Sequence, residues 1–317
     1  MDTQNKAQLQ IHFCVLLWGF TAILGRLITL PAFAIVWWRM LIVVAALALV
    51  PRVWRALRIM SGRLRLAFAG IGVLVALHWL TFYAAIKLAN ASVAATCIAL
   101  ATVFTALLEP VLAHARFSKR DVVLGLAVLP GVALVVGGVP ETMRPGIAIG
   151  AISALLVAVF GSLNKRLVDH ADPLAVTAIE LGAGAAALTA LAPLVAATWP
   201  GAGSQFMLPD ARDAALLAAL ALACTLLPFA LALTALRHMS AFAAQLAVNL
   251  EPVYAILLAM LILGEQRELT PSFYFGVVII LGAVLVYPLW LARRRTGART
   301  AHPEQLATAE AKQLTEI

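Results

Sequence analysis

The chain has 317 residues, 63% of them hydrophobic and 12% charged, with a formal net charge of +8 and a mean hydropathy of +0.98. A soluble domain carries roughly 25% charged residues over its core, so too few polar residues exist here to cover a water-facing surface, and lipid must be the solvent. Barrel strands alternate in polarity, whereas these apolar runs are continuous and rich in Ala and Leu, so the expected fold class is an all-α integral membrane protein.

A crossing needs about 20 mostly apolar residues. In chain order this predicts ten spans, near 11–29, 32–50, 66–87, 92–114, 121–139, 146–168, 173–198, 212–236, 240–263 and 271–292. Residues 1–10 form a short polar N-terminus with Asp2 and Lys6. Lacking an Arg/Lys-rich start and a cleavage site, the first run is read as a retained helix. Residues 293–317 are polar and read as a disordered cytoplasmic tail. Connections are short and leave no room for a soluble catalytic domain. No HExxH, GxSxG or GxxxxGK[ST] occurs and the six histidines are scattered, so neither an enzyme, a cofactor nor a metal centre is expected. Cys14, Cys97 and Cys224 all lie inside apolar runs and read as small buried hydrophobes.

The positive charge belongs to loops and not to a nucleic-acid surface. Arg52, Arg55, Arg58, Arg63 and Arg65 follow span 2; Arg116, Lys119 and Arg120 follow span 4; Lys165 and Arg166 follow span 6. The opposite loops are mixed, as in Glu141 with Arg144, Asp210 with Arg212 and Asp213, and Glu265 with Arg267 and Glu268. Cytoplasmic loops collect Lys and Arg, which puts both termini in the cytoplasm.

Ten spans divide into two sets of five, residues 11–139 and 140–292. At an offset of 150 residues Lys87 falls on Arg237, Ala91 on Ala241, Leu100 on Leu250 and Val103 on Val253. One residue later in register Gly125 and Gly131 fall on Gly276 and Gly282. Arg26–Leu27 echoes Arg166–Leu167 at a shorter offset. The basic RFSKR loop after span 4 corresponds to the acidic GEQRE loop after span 9, as copies inserted in opposite directions require. Inverted repeats mark secondary transporters, with the substrate site near the midplane.

LLWGFTAILGR in span 1, WWRM in span 2 and the NLEPVYAILLAMLILGEQRE stretch resemble the EamA family of the drug/metabolite transporter superfamily, and within it the YddG-type bacterial amino-acid exporters. That resemblance covers about residues 11–290. It implies ten helices as two inverted five-helix repeats around a central cavity, placement in the bacterial inner membrane, and export of aromatic or neutral amino acids by alternating access. Other members of such a family carry other metabolites or drugs, and a lipid or lipid-linked-sugar flippase is the alternative. The partners implied are a small-molecule substrate and the bilayer, and the architecture is compatible with a monomer. In one departure, Thr102 stands where the family often has the proline represented by Pro252, and Glu109–Pro110 comes seven residues later. A kink in span 4 is therefore expected nearer Pro110.

Polar side chains at membrane depth are costly and mark cavities or helix partners. In span 3, Trp79 and Tyr83 stand one turn apart as an aromatic wall, with His78 and Thr81 on another face. Trp18 in span 1 can face the same space. In span 9, Gln245 and Asn249 share a face, while Glu251 lies about 200° round from Asn249. The substrate surface expected is His78, Trp79, Tyr83, Trp18 and the Gln245/Asn249 face. Glu251 is assigned to proton coupling or helix pairing, and Pro252 to a kink. Glu109 is expected to pair with the basic RFSKR loop or to serve coupling. Arg39 and Glu180 are expected to snorkel to opposite interfaces.

Overall fold

The structure is a computed structural model that describes residues 3–198 and 207–283. The expected tail 293–317 and the end of the tenth span lie outside the described residues. Eight helices are long and apolar enough to cross a membrane, or up to nine if a bent pair counts as one span. In chain order the elements are α1 (Thr3–Leu27), α2 (Ala32–Ala48), α3 (Pro51–Ile59), α4 (Gly62–Leu88), α5 (Ala91–Cys97), α6 (Ala101–Leu112), α7 (Lys119–Leu126), α8 (Leu129–Gly137), α9 (Arg144–Leu167), α10 (Pro173–Thr198), α11 (Ala211–Ala221), α12 (Leu227–Leu236), α13 (Ala241–Val248), α14 (Glu251–Leu258) and the shorter apolar α15 (Pro271–Ala283). No strand occurs among the described residues.

Local chemistry explains the boundaries. Side-chain oxygens cap the exposed N–H groups that every helix start leaves over. Ser61 caps α4, Asn90 caps α5, Ser118 caps α7, Asp210 caps α11 and Ser240 caps α13. Asn90 and Ser240 occupy matching places at the offset of 150. Pro51 sits in the first turn of α3, where its missing N–H costs nothing, and α3 leaves α2 at 91°. Gly264 takes a left-handed φ of 71° and ends span 9 just ahead of Glu265.

Spans 4 and 9 are discontinuous at the same place. A 3-10 turn at Ile98–Leu100 separates α5 from α6, and α13 stops at Val248 before α14 begins at Glu251. Pro252 lies in the first turn of α14. Pro110 lies inside α6, so the interruption of span 4 falls at Ile98–Leu100 and not near Pro110 as expected. Thr102 explains how span 4 manages without the proline: its hydroxyl accepts from Asn249 Nδ2 at 2.6 Å, tying the two breaks together.

The two spans are also tied at their ends. Glu109, near the end of α6, accepts the N–H groups of Ala241 and Phe242 at 2.8 Å each, at the start of α13. Glu265, just past span 9, accepts Ala91 N at 3.1 Å, Ser92 N at 3.0 Å and Ser92 Oγ at 2.6 Å, at the start of α5. Each span thus begins where the other ends, so the pair is antiparallel. Glu109 was expected at the RFSKR loop; the unpaired N–H groups of a helix start, with their partial positive charge, hold it instead.

Two further ties repeat across the halves. Lys87 Nζ donates to the Ile28 carbonyl at 2.6 Å, and Arg237 Nε donates to the Val168 carbonyl at 3.2 Å, with a further bond from its guanidinium to Ala171 O. Ile28 and Val168 are the residues directly after the Arg-Leu pairs that echo each other. α8 and α15 cross almost backbone to backbone. A Cβ on Gly131 would lie 2.6 Å from the Gly276 carbonyl, and one on Gly276 2.5 Å from that of Gly131. Small residues at crossings let helices approach this closely in lipid. The enclosed centre is span 4, with 78% of its apolar window buried against 22% for the Lys119–Gly137 span.

Candidate functional site

A cavity of about 140 Å³ lies among α1, α2, α4, α9, α12, α13 and α14. Trp18, Trp79, Phe82, Phe160 and Phe229 supply aromatic walls. Thr21, Arg39, His78, Asn164, Gln245 and Glu251 supply the polar ones.

Arg39 is the best anchored of these. It is 1% exposed, so it does not snorkel to an interface as expected. Its partners are inside: Nε donates to Thr225 Oγ1 at 2.5 Å, Nη1 to Tyr83 Oη at 2.9 Å and Nη2 to the Cys224 carbonyl at 3.4 Å. The guanidinium lies 3.8 Å over the Trp79 ring centroid, a cation–π contact strengthened by desolvation. Span 8 makes this possible. Its π-helical turn at Leu222–Leu226 and Pro228, which cannot donate to the carbonyl four residues back, leave Cys224 O available. A guanidinium has five N–H donors, and the three bonds made leave capacity for a ligand. Among the described residues no carboxylate comes within 4.0 Å of it.

Glu251 lines the cavity at the first turn of α14 and is 7% exposed, with neither an ion pair nor a hydrogen-bond partner among the described residues. Gln245 is also on the wall, with its Nε2 unpartnered, as is the Thr21 hydroxyl. His78 is clamped between Phe82 and Phe160, at 6.2 and 5.4 Å between centroids. The Ser153 hydroxyl donates to His78 O at 3.0 Å, so the 3.0 Å contact of Nδ1 with Ser153 O assigns the ring proton to Nδ1.

Of the residues singled out from sequence, the structure brings Trp18, His78, Trp79, Gln245 and Glu251 together on one cavity. Tyr83 stands behind the wall, fully buried, its ring packed on Gly25 and its hydroxyl on Arg39. Asn249 is turned into the span 4–span 9 contact, and Glu109 into its cap. Glu251 and Asn249 have therefore exchanged the places expected for them. The break at Asn249–Leu250 interrupts the regular 100° advance per residue on which the expectation rested. Arg39, Phe82, Phe160 and Phe229 are absent from the expected set. The proline four residues after Cys224 was the one available signal for Arg39, since it marks a free carbonyl.

These features define a multi-pass helical membrane protein, two of whose spans are broken midway, around an aromatic-walled cavity with a few polar groups, an architecture found in secondary transporters. Residues 5–137 and 144–287 each match the EamA-like transporter family, and the chain belongs to it. Its members carry small molecules across membranes. A crystal structure of a protein shares the fold at a TM-score of 0.63, with 20% identity over 92% of this chain and 98% of that one. No curated protein matches the chain.

Proposed function

We propose that the chain is a secondary carrier that exports amino acids, aromatic or neutral ones first, by alternating access. The observation that carries this reading is that Arg39 and Glu251 line one aromatic-walled cavity without forming a direct ion pair. A zwitterion completes both. Its carboxylate would take the free N–H groups of Arg39, bidentate geometry favouring this, and its ammonium would take Glu251. Trp18, Trp79, Phe82, Phe160 and Phe229 would receive the side chain, and Gln245 and Thr21 would serve its polar atoms. His78, fixed at Nδ1, offers Nε2 as an acceptor.

The moving parts would be ten spans in two inverted sets of five, 11–139 and 140–292. The antiparallel pairing of spans 4 and 9, with matching caps and breaks, supports this arrangement. The basic loops support cytoplasmic termini, and the resemblance to YddG-type bacterial exporters supports the bacterial inner membrane. The cavity is built by one chain, so a monomer suffices. Purified protein in liposomes preloaded with labelled aromatic, aliphatic and charged amino acids should release the first two classes, with Arg39→Gln at least tenfold slower. Lipid scrambling without amino-acid release would overturn the proposal in favour of a flippase. Full, pH-independent transport by Glu251→Gln would remove Glu251 from both ammonium binding and coupling.

A further inference from the structure

Glu180 lies about two turns into α10 and is 0% exposed. Its one hydrogen bond is a long one, from Asn164 Nδ2 to Oε2 at 3.4 Å. Oε1 is buried with no partner, and so is Asn164 Oδ1. Two acceptors thus stand unsatisfied at one contact, and an added hydrogen on the carboxyl would satisfy one of them and remove the buried charge. The surroundings supply none. On the α4 side the backbone of Glu180 is pressed onto Gly72, where a Cβ could not fit, and Gly184 packs on Met40 of α2. The charged or titratable side chains of the packed helices are Arg39 in α2, Arg63, Arg65, His78, Tyr83 and Lys87 in α4, Arg144, Lys165 and Arg166 in α9, and Arg52, Arg55 and Arg58 in α3. Near α12 stands Arg237. None of the cations among them is within 4.0 Å of the carboxyl among the described residues. An ionised carboxyl taken out of water with no cation is very costly.

We propose that Glu180 is a proton-binding site of this carrier, occupied in this conformation and connected to the cavity through Asn164. With the proton on Glu180 Oε2 and the Asn164 amide turned by half a rotation, the acid O–H donates to Oδ1, and no buried charge is left without a cation. Amide orientation is free to follow the hydrogen-bond network in this way. Asn164 lines the cavity. When Glu180 is ionised the Asn164 NH2 is held by the carboxylate, and once Glu180 is protonated the amide turns, so proton binding reorients a side chain of the cavity wall. This rests on the carrier reading but not on amino acids being the cargo.

Infrared difference spectroscopy of the full chain in lipid nanodiscs, titrated with acid and base, reads the proton directly and needs no substrate. The carbonyl stretch of a buried protonated carboxylic acid is expected at neutral pH, retained in Glu251→Gln and lost in Glu180→Gln. Its absence from the wild-type protein, or its survival in Glu180→Gln, would overturn the assignment. Should Glu180→Gln fail to fold, Asn164→Leu serves: loss of the amide partner must shift the band, and an unshifted band refutes the coupling. Failure of amino-acid release in liposomes leaves this measurement intact, so the two proposals fall separately.

Discussion

Spans 4 and 9 do the same work with different residues. Both are capped at their start by a short polar side chain, broken in the middle and held at the start by a carboxylate from the other's far end. Span 9 follows its break with Pro252, whereas span 4 uses Thr102 and a side-chain bond to Asn249. Glu265, on a loop held by a left-handed glycine, accepts three bonds from the start of α5; Glu109, inside α6, accepts two from the start of α13. The comparison teaches that the geometry of the pair is maintained while its register drifts. Position 109 would align with Ala259, not with Glu265.

The strongest way to break this comparison is at the caps. Each buried donor left without an acceptor costs about 1–3 kcal/mol, so Glu265→Ala is expected to lower stability by roughly 3 kcal/mol. Glu109→Ala should cost about 2 kcal/mol, the loss of a helix cap being worth ~1–2 kcal/mol. Thermal unfolding in detergent reads both, and a reversed order would show that the number of bonds does not set the strength of the tie. Next comes the α8–α15 crossing, where Gly131→Ala and Gly276→Ala should each cost roughly 2 kcal/mol from overpacking against backbone. Because the contacts are reciprocal, the two values should agree closely; a difference above about twofold would mean that one helix can yield. The smallest effect sharpens the central tie. Thr102→Val should cost about 1 kcal/mol for one hydrogen bond, and adding Asn249→Leu should cost less than the sum, as a double-mutant cycle would measure.

Much of the fold was legible because lipid makes hydropathy nearly decisive. Eight of the predicted spans fall on helices long and apolar enough to cross a membrane, the second falls on the bent pair α2–α3 and the start of the tenth on α15, and the offset of 150 residues paired Lys87 with Arg237, whose carbonyl ties match. The site was legible only in part. Trp18, His78, Trp79 and Gln245 followed from helical spacing, but spacing fails across a break, and so Asn249 and Glu251 traded faces. The carboxylate caps were invisible to alignment because a side chain can reach the same N–H groups from several registers. Arg39 was misplaced for a different reason. Hydropathy asks how a cation reaches water, and here a π-helical turn, a proline and Tyr83 provide partners that make water unnecessary.

The double cap has a mechanical consequence. Spans 4 and 9 are joined at both ends, so they form a closed link and not a hinge with one free side. Any motion that parts them at one face must either break the bonds there or turn about the bonds at the other. In such a motion Glu109 and Glu265 would serve as alternate pivots, with the Thr102–Asn249 bond between them.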